Sequence, residues 1–267
     1  MKTRVLGVVG SVMVAMMASA SAQVVSPQDE ANPDRWRFAL APYFWAPSVK
    51  VDAKVHGVDI EDRVPFSEIW DDLQFGGMLK GEARTGRFGI LTDVFYVSLK
   101  DKSDVTTPGG IPLFNTDAKL YLWVAELDGS YEVARWGEGK EQGSLDVLAG
   151  GRYWNVEHKL DASVPITGGS RSFDGTLDWI DAIVGTRLNL DVTENLHLIA
   201  QGDIGGFDIG TSAKLDWCAQ AYLGWKFSEL FSAWAGWKYL FVDYSQNSGN
   251  DMKVTFSGPA VGVAFSF

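Results

Sequence analysis

Hydrolytic and acyl-transfer chemistry needs a histidine or a thiolate within hydrogen-bond reach of a second polar group. This chain of 267 residues has three histidines, His56, His158 and His197, and one cysteine, Cys218. They are far apart in sequence. His56 falls in a polar stretch, His158 at the end of one strand-like segment and His197 at the start of another. Cys218 has no disulfide partner and no zinc-ligand spacing around it. The run Asp203-Ile204-Gly205-Gly206 has the glycines of a phosphate loop, but no lysine or helix start follows, so it reads as a tight strand end. The expectation is a protein that is not an enzyme and carries no cofactor and no metal centre. The formal charge of −11 and the lack of a basic patch speak against a nucleic-acid partner.

The charged residues do have a pattern. Arg37, Lys80, Arg84, Arg152, Arg187, Lys214, Lys226 and Lys238, with Glu82, Asp93, Glu126, Asp128, Glu132, Asp146, Asp181, Asp203 and Asp216, lie opposite apolar faces. In one segment Leu215, Trp217, Ala219, Ala221, Leu223 and Trp225 alternate with Asp216, Cys218, Gln220, Tyr222 and Lys226. Successive side chains point to opposite faces of a strand, so such a segment meets two different solvents. The opposite signs on the polar face nearly cancel. Charges out of bulk water must be paired, so the face predicts a salt-bridge network lining or plugging a narrow lumen. Its members are Arg37, Lys80, Glu82, Glu126, Asp128, Asp146, Arg152, Asp181, Arg187, Asp203 and Lys238. Arg152 and Arg187 are expected to pair with Asp146, Asp181 and Asp203, which strand order places nearby.

The elements that must hold these residues are strands near 36–45, 73–84, 88–99, 117–134, 144–156, 177–190, 196–206, 212–227, 231–244 and 254–267. Pro42 lacks a donor and weakens the first. Short connections alternate with long ones at 46–72, 100–116, 157–176 and 245–253; the link 207–211 is a short member of the second set. Within 46–72, residues 49–60 could form a further hairpin and Pro65 to Asp72 a helical turn. The fold class is all-β: a closed antiparallel transmembrane β-barrel of about ten strands, with eight or twelve as the other counts. Three features set a membrane barrel above a soluble one. Trp and Tyr close the apolar face at many strand ends, a face rich in charge and glycine makes a poor dry core, and the strands are long for a soluble sheet. Trp217, Ala221 and Leu223 then face lipid, and Gln220→Arg, entering a polar lumen, is expected to be milder than Ala221→Arg.

The N-terminus reads as an export signal. Lys2 and Arg4 precede an apolar run from Val5 to Ala18 that is too short to span a bilayer comfortably, and Ala20-Ser21-Ala22 offers a cleavage pattern. Residues 1–22 are expected to be a signal peptide and 23–267 the barrel domain, in the outer membrane.

With this leader and these strands, the ending Val261-Gly262-Val263-Ala264-Phe265-Ser266-Phe267 resembles that of small bacterial outer-membrane β-barrel proteins, porin-like and opacity-like. The resemblance implies that Val263, Phe265 and Phe267 form the signal read by the barrel-assembly machinery. It brings no ligand or catalytic motif. The expected partners are outer-membrane lipid, lipopolysaccharide and that machinery; the oligomeric state is not encoded in any feature seen. The acidic run Asp59, Glu61, Asp62, Glu68, Asp71 and Asp72 could join divalent bridges to lipopolysaccharide phosphates, though a solvated acidic loop is the preferred reading. The leading functional expectation is a structural barrel or a weak channel for small solutes. A surface binding or adhesion protein acting through its outer loops comes second, and a membrane-edge enzyme third.

Overall fold

The structure is a computed structural model that describes residues 35–55, 58–106, 112–138, 141–164, 169–246 and 250–267. The segment expected to be a signal peptide, residues 1–22, lies outside the described residues, as does His56.

The alternating segments form strands. They are β1 (Arg37–Trp45), β2 (Ser48–Val55), β3 (Val58–Val64), β4 (Leu73–Thr85), β5 (Phe88–Thr106), β6 (Pro112–Glu138), β7 (Glu141–Val164), β8 (Gly169–Asp191), β9 (Leu196–Gly206), β10 (Leu215–Lys226), β11 (Phe231–Gln246) and β12 (Asn250–Ser266), with one helix, α1 (Phe66–Asp72), before β4. The twelve strands make one sheet in the order β1-β4-β5-β6-β7-β8-β9-β10-β11-β12-β2-β3, and β1 also pairs with β12. Ten strands therefore close into an antiparallel barrel, and β2 and β3 are the two extra strands, the hairpin expected over 49–60. The helical turn expected from Pro65 is α1.

Closure takes a particular form. β12 pairs with β1 from Ala260 to Ser266 and with β2 from Asp251 to Ser257. β1 and β2 thus act as one long strand, interrupted at Ala46-Pro47. Pro42 is accommodated: the β1–β12 ladder skips Ala41 and Pro42, while Pro42 keeps its place opposite Leu79 of β4.

The wall is inside-out relative to a soluble barrel. Outward side chains include Leu127 at 62%, Ile180 at 61% and Leu223 at 53% exposure, whereas inward Asp146, Asp181 and Asp216 are fully buried. Aromatic rings cluster on the exterior in two zones. Near the termini, Trp36, Phe38 and Phe267 stack in series, and Phe231 packs on Phe227 and Phe265. Further up, Phe75, Tyr96 and Trp123 form a chain of contacts, and Trp217 stacks on Tyr239.

Two of the connections expected to be long loops are mostly strand. The segments 100–116 and 157–176 continue β5 to β8 well beyond the upper aromatic zone. Polar residues occupy both faces there, because both faces meet water, so the apolar alternation used to find strands fades while the ladder goes on. The result is a blade of four strands rising above the barrel. A second blade is built by β11, β12, β2 and β3. Between the blades, β9 ends at Gly206 and β10 begins opposite it at Leu215, which leaves a notch. The chain turns there through left-handed backbone at Gly206, Phe207 and Asp208. Ser212 Oγ holds the turn, donating to the Gly206 carbonyl at 2.7 Å and accepting from the Ile209 amide at 2.7 Å.

Candidate functional site

The lumen is where the charges meet. Lys80, Asp93, Glu126, Arg152 and Asp181 stand directly opposite one another in register from β4 to β8. Glu132, Asp146, Arg187, Gln201, Gln220 and Lys238 do the same from β6 to β11. All point inward, and the barrel is narrow enough for opposite walls to touch.

Three knots of ion pairs cross the bore. Nearest the termini, Arg84 forks onto Asp146 with its shorter contact at 2.6 Å and also holds Glu82 at 3.0 Å, while Arg187 reaches Glu82 at 2.9 Å. In the second knot Asp93 accepts from Lys80 at 2.6 Å, Lys238 at 2.7 Å and the Tyr43 hydroxyl at 2.7 Å. In the third, Arg152, 1% exposed, donates to Glu126, Asp203 and Asp216. Five guanidinium N–H groups in a rigid fork suit such multiple acceptance.

The pairing differs in part from that expected from strand order. Arg152 does reach Asp203, but its other partners are Glu126 and Asp216. Arg187 takes Glu82, and Asp146 is held by Arg84. Asp181 accepts from the Trp179 indole at 2.8 Å and from the Ala213 amide at 2.7 Å. An arginine side chain spans much of a narrow bore, so the facing wall competes with the neighbouring strand. Asp128 is 1% exposed and accepts from no cation among the described residues; it lies beside Glu126 and leans over Gly150, where a Cβ would stand 2.2 Å from its Oδ1.

Arg37 is a correction. It stands exposed at the terminal end, opposite Arg84, and makes no ion pair among the described residues. Arg84 is already turned into the bore, and Arg37 lies past the last layer that excludes water. Lys214 and Lys226 also belong to the barrel ends, where they pair with Asp251 at 3.2 Å and Glu229 at 2.9 Å.

An aromatic layer above the ion pairs was not anticipated. Trp45, Phe95, Trp154, Trp179, Tyr244 and Phe256 are all buried inside the barrel. Trp154 and Trp179, direct cross-strand partners, stack at 5.4 Å, and Trp179 meets Tyr244 at 4.3 Å. Lys238 joins the two layers, with Nζ 5.1 Å from the Trp45 ring centre. The signal was present in the alternation: Tyr153 and Ile180 face outward, so their neighbours Trp154 and Trp179 must face inward. The turn after β9 completes the closure, because Ala213 is fully buried against Asp181.

The remaining candidates lie apart from one another. His158 stands in the blade and His197 beside the turn at the opposite end. The acidic run is part of β3 and α1 rather than a loop, with Glu61 paired to Lys50 at 3.0 Å. No cluster of potential metal ligands occurs among the described residues. At the C-terminus, Val263 and Phe265 lie on the exterior of β12, and Phe267 follows it directly. Phe267 exchanges backbone hydrogen bonds with Phe38 at 2.9 and 2.8 Å, and their rings stack at 6.0 Å.

No protein-family model matches the sequence, and no curated protein matches it. Solved structures do. The outer-membrane protease OmpT of Escherichia coli superposes with a TM-score of 0.51 at 11% identity, covering 93% of this chain and all of that one. The toluene transporter TodX of Pseudomonas putida gives a TM-score of 0.34 at 12% identity, over 93% of this chain and 95% of that one. The attachment invasion locus protein Ail of Yersinia pestis gives 0.33 at 14%, over 87% and 99%. At such identities the likeness concerns architecture alone: the chain has the closed antiparallel β-barrel fold of outer-membrane proteins.

Proposed function

We propose that the protein is an integral outer-membrane barrel whose bore is closed by its own side chains, serving the envelope structurally or passing small solutes only weakly. The apolar exterior between two aromatic zones supports insertion in a bilayer. Both termini and the short turns mark the periplasmic end, and the blades then stand outside the cell. The observation that carries the closed bore is Arg152, fully buried and bound to carboxylates from β6, β9 and β10.

Single-channel recording in a planar bilayer tests this reading. The wild type is expected to conduct weakly, since ion pairs cross the bore. With Arg37, Lys214 and Lys226 at the barrel ends, Lys80, Arg84, Arg152, Arg187 and Lys238 face an excess of lumen carboxylates, so the small residual current should lean towards cations. Replacing Arg152 and Arg187 together with Ala removes the rungs and leaves Glu126, Asp203, Asp216 and Glu82 in excess. Conductance should rise and selectivity should move towards cations. A large, strongly selective wild-type pore, or a double variant identical to the wild type, would overturn the proposal.

A second reading rests on the blades. β6 extends from Trp123 to Pro112 beyond the upper aromatic zone, roughly 36 Å along the strand. A wall of that height is a surface for binding. Exchange of the blade tips with those of an unrelated barrel would move any surface ligand with them if this reading holds.

A further inference from the structure

On the exterior of the taller blade, Lys100, Lys119 and Lys159 stand directly opposite one another on β5, β6 and β7. Like charges in direct cross-strand opposition destabilise a sheet. Lys100 is relieved by Asp117 at 3.3 Å and Lys159 by Glu157 at 2.9 Å. Lys119, between them, makes no ion pair among the described residues. Asp174 on β8 is the next group in the row, opposite Lys159. In a chain with 34 acidic and 23 basic side chains, a shortage of carboxylates does not account for an unpaired central lysine.

A groove of roughly 420 Å³ opens directly below the row, lined by Tyr96, Tyr121, Trp123, Tyr153, Asn155, Glu157 and Lys159. Lys159 Nζ lies 6.0 Å from the Tyr121 ring centre, so the cationic row and the aromatic shelf are continuous. Trp123 is four positions from Lys119 along β6, roughly 10 Å along the membrane normal for a tilted strand. Trp and Tyr settle at the membrane–water interface. The lysines therefore sit at the level of the lipid phosphates.

We propose that this face is a binding site for a phosphorylated glycolipid of the outer leaflet, with Lys119 and Lys159 as its phosphate contacts and the aromatic groove receiving its upper acyl and sugar portions. The proposal rests on the outer-membrane reading above. The phosphate would sit where the lysines repel one another, with Asp117 and Glu157 orienting the outer two.

The test uses the full-length protein in non-ionic detergent, titrated with lipopolysaccharide, dephosphorylated lipopolysaccharide and inorganic phosphate by microscale thermophoresis. Lys119→Gln with Lys159→Gln should weaken lipopolysaccharide binding on the order of tenfold. The corresponding pair of Arg substitutions should retain it. Lys214→Gln, altering a rim lysine already paired with Asp251, should leave it unchanged. Dephosphorylated lipopolysaccharide should bind the wild type as weakly as the double Gln variant binds the intact glycolipid. If the double variant fails to form a heat-resistant barrel, Lys119→Gln alone carries the comparison. Equal affinity in wild type and Gln variants overturns the proposal, and so does an equal loss in Lys214→Gln. Competition by inorganic phosphate at matching concentration would reduce the row to a simple anion site and overturn the lipid assignment. The conductance of the Gln variants separates this proposal from the closed-bore reading, since neither lysine faces the lumen.

Discussion

Asp93 is the only ionic partner of both Lys80 and Lys238 among the described residues. Asp93→Asn would leave two ammonium groups in the bore without a counter-charge. The expected loss is about 3–5 kcal/mol, the usual cost of breaking a buried pair from one side, measured by denaturant unfolding in micelles. Combining Asp93→Leu with Lys238→Met should recover part of it, because the second change removes a buried charge that the first strands. The same geometry corrects an expectation drawn from alternation. Gln220 accepts from Lys80 at 3.1 Å and from the Tyr222 hydroxyl at 2.6 Å, and it stands opposite Lys238. Gln220→Arg therefore adds a third cation beside two, and is no longer a mild control for a lipid-facing substitution. Alternation told which residues point inward, but not which rung lies opposite which, nor what spans the bore. For that reason Arg152 and Arg187 were legible as lumen residues while most of their partners were not.

At the level of the element, β10 presents Ala221 outward with Ala200 and Trp237 beside it in register. Ala221→Arg should cost about 2–4 kcal/mol of folding in a bilayer if the position lies near its midplane, whereas Ala221→Leu should be close to neutral. Folding yield in lipid vesicles measures both, and equal yields would contradict the lipid-facing assignment. Gly262, on β12, shows a second constraint on strand sequence. A Cβ there would stand 2.4 Å from the Trp234 ring and 2.9 Å from Tyr43 Cβ, so a glycine in this strand is a seat for an aromatic ring. The ten barrel strands were legible because one face meets an apolar surrounding. The upper reaches of β5 to β8 were not, because sequence alternation records a difference between two solvents and disappears where both are water.

For the whole molecule, the ending Val263, Phe265 and Phe267 raises a question of assembly against stability. Phe267→Ala keeps the two backbone bonds to Phe38 and removes the ring stacked on it. Loss of one exposed ring contact should lower stability in detergent by about 1 kcal/mol or less. If the ring is also part of the assembly signal implied by the resemblance to small outer-membrane barrels, surface levels in cells should fall several-fold more than that change accounts for. Deletion of Phe267 should lower both, since the backbone bonds go as well. Normal surface levels of Phe267→Ala would reduce the ending to an ordinary exterior strand. The closure of the barrel bears on how the finished molecule resists force. β12 is bonded along one edge to β11 from Asn250 to Phe265, and along the other first to β2 and then to β1. A pull on the C-terminus along the strand would load both ladders in shear, with no single bond yielding first. The strand that ends the chain would then be among the last to be drawn out, and mechanical extraction should begin at elements gripped over a shorter length.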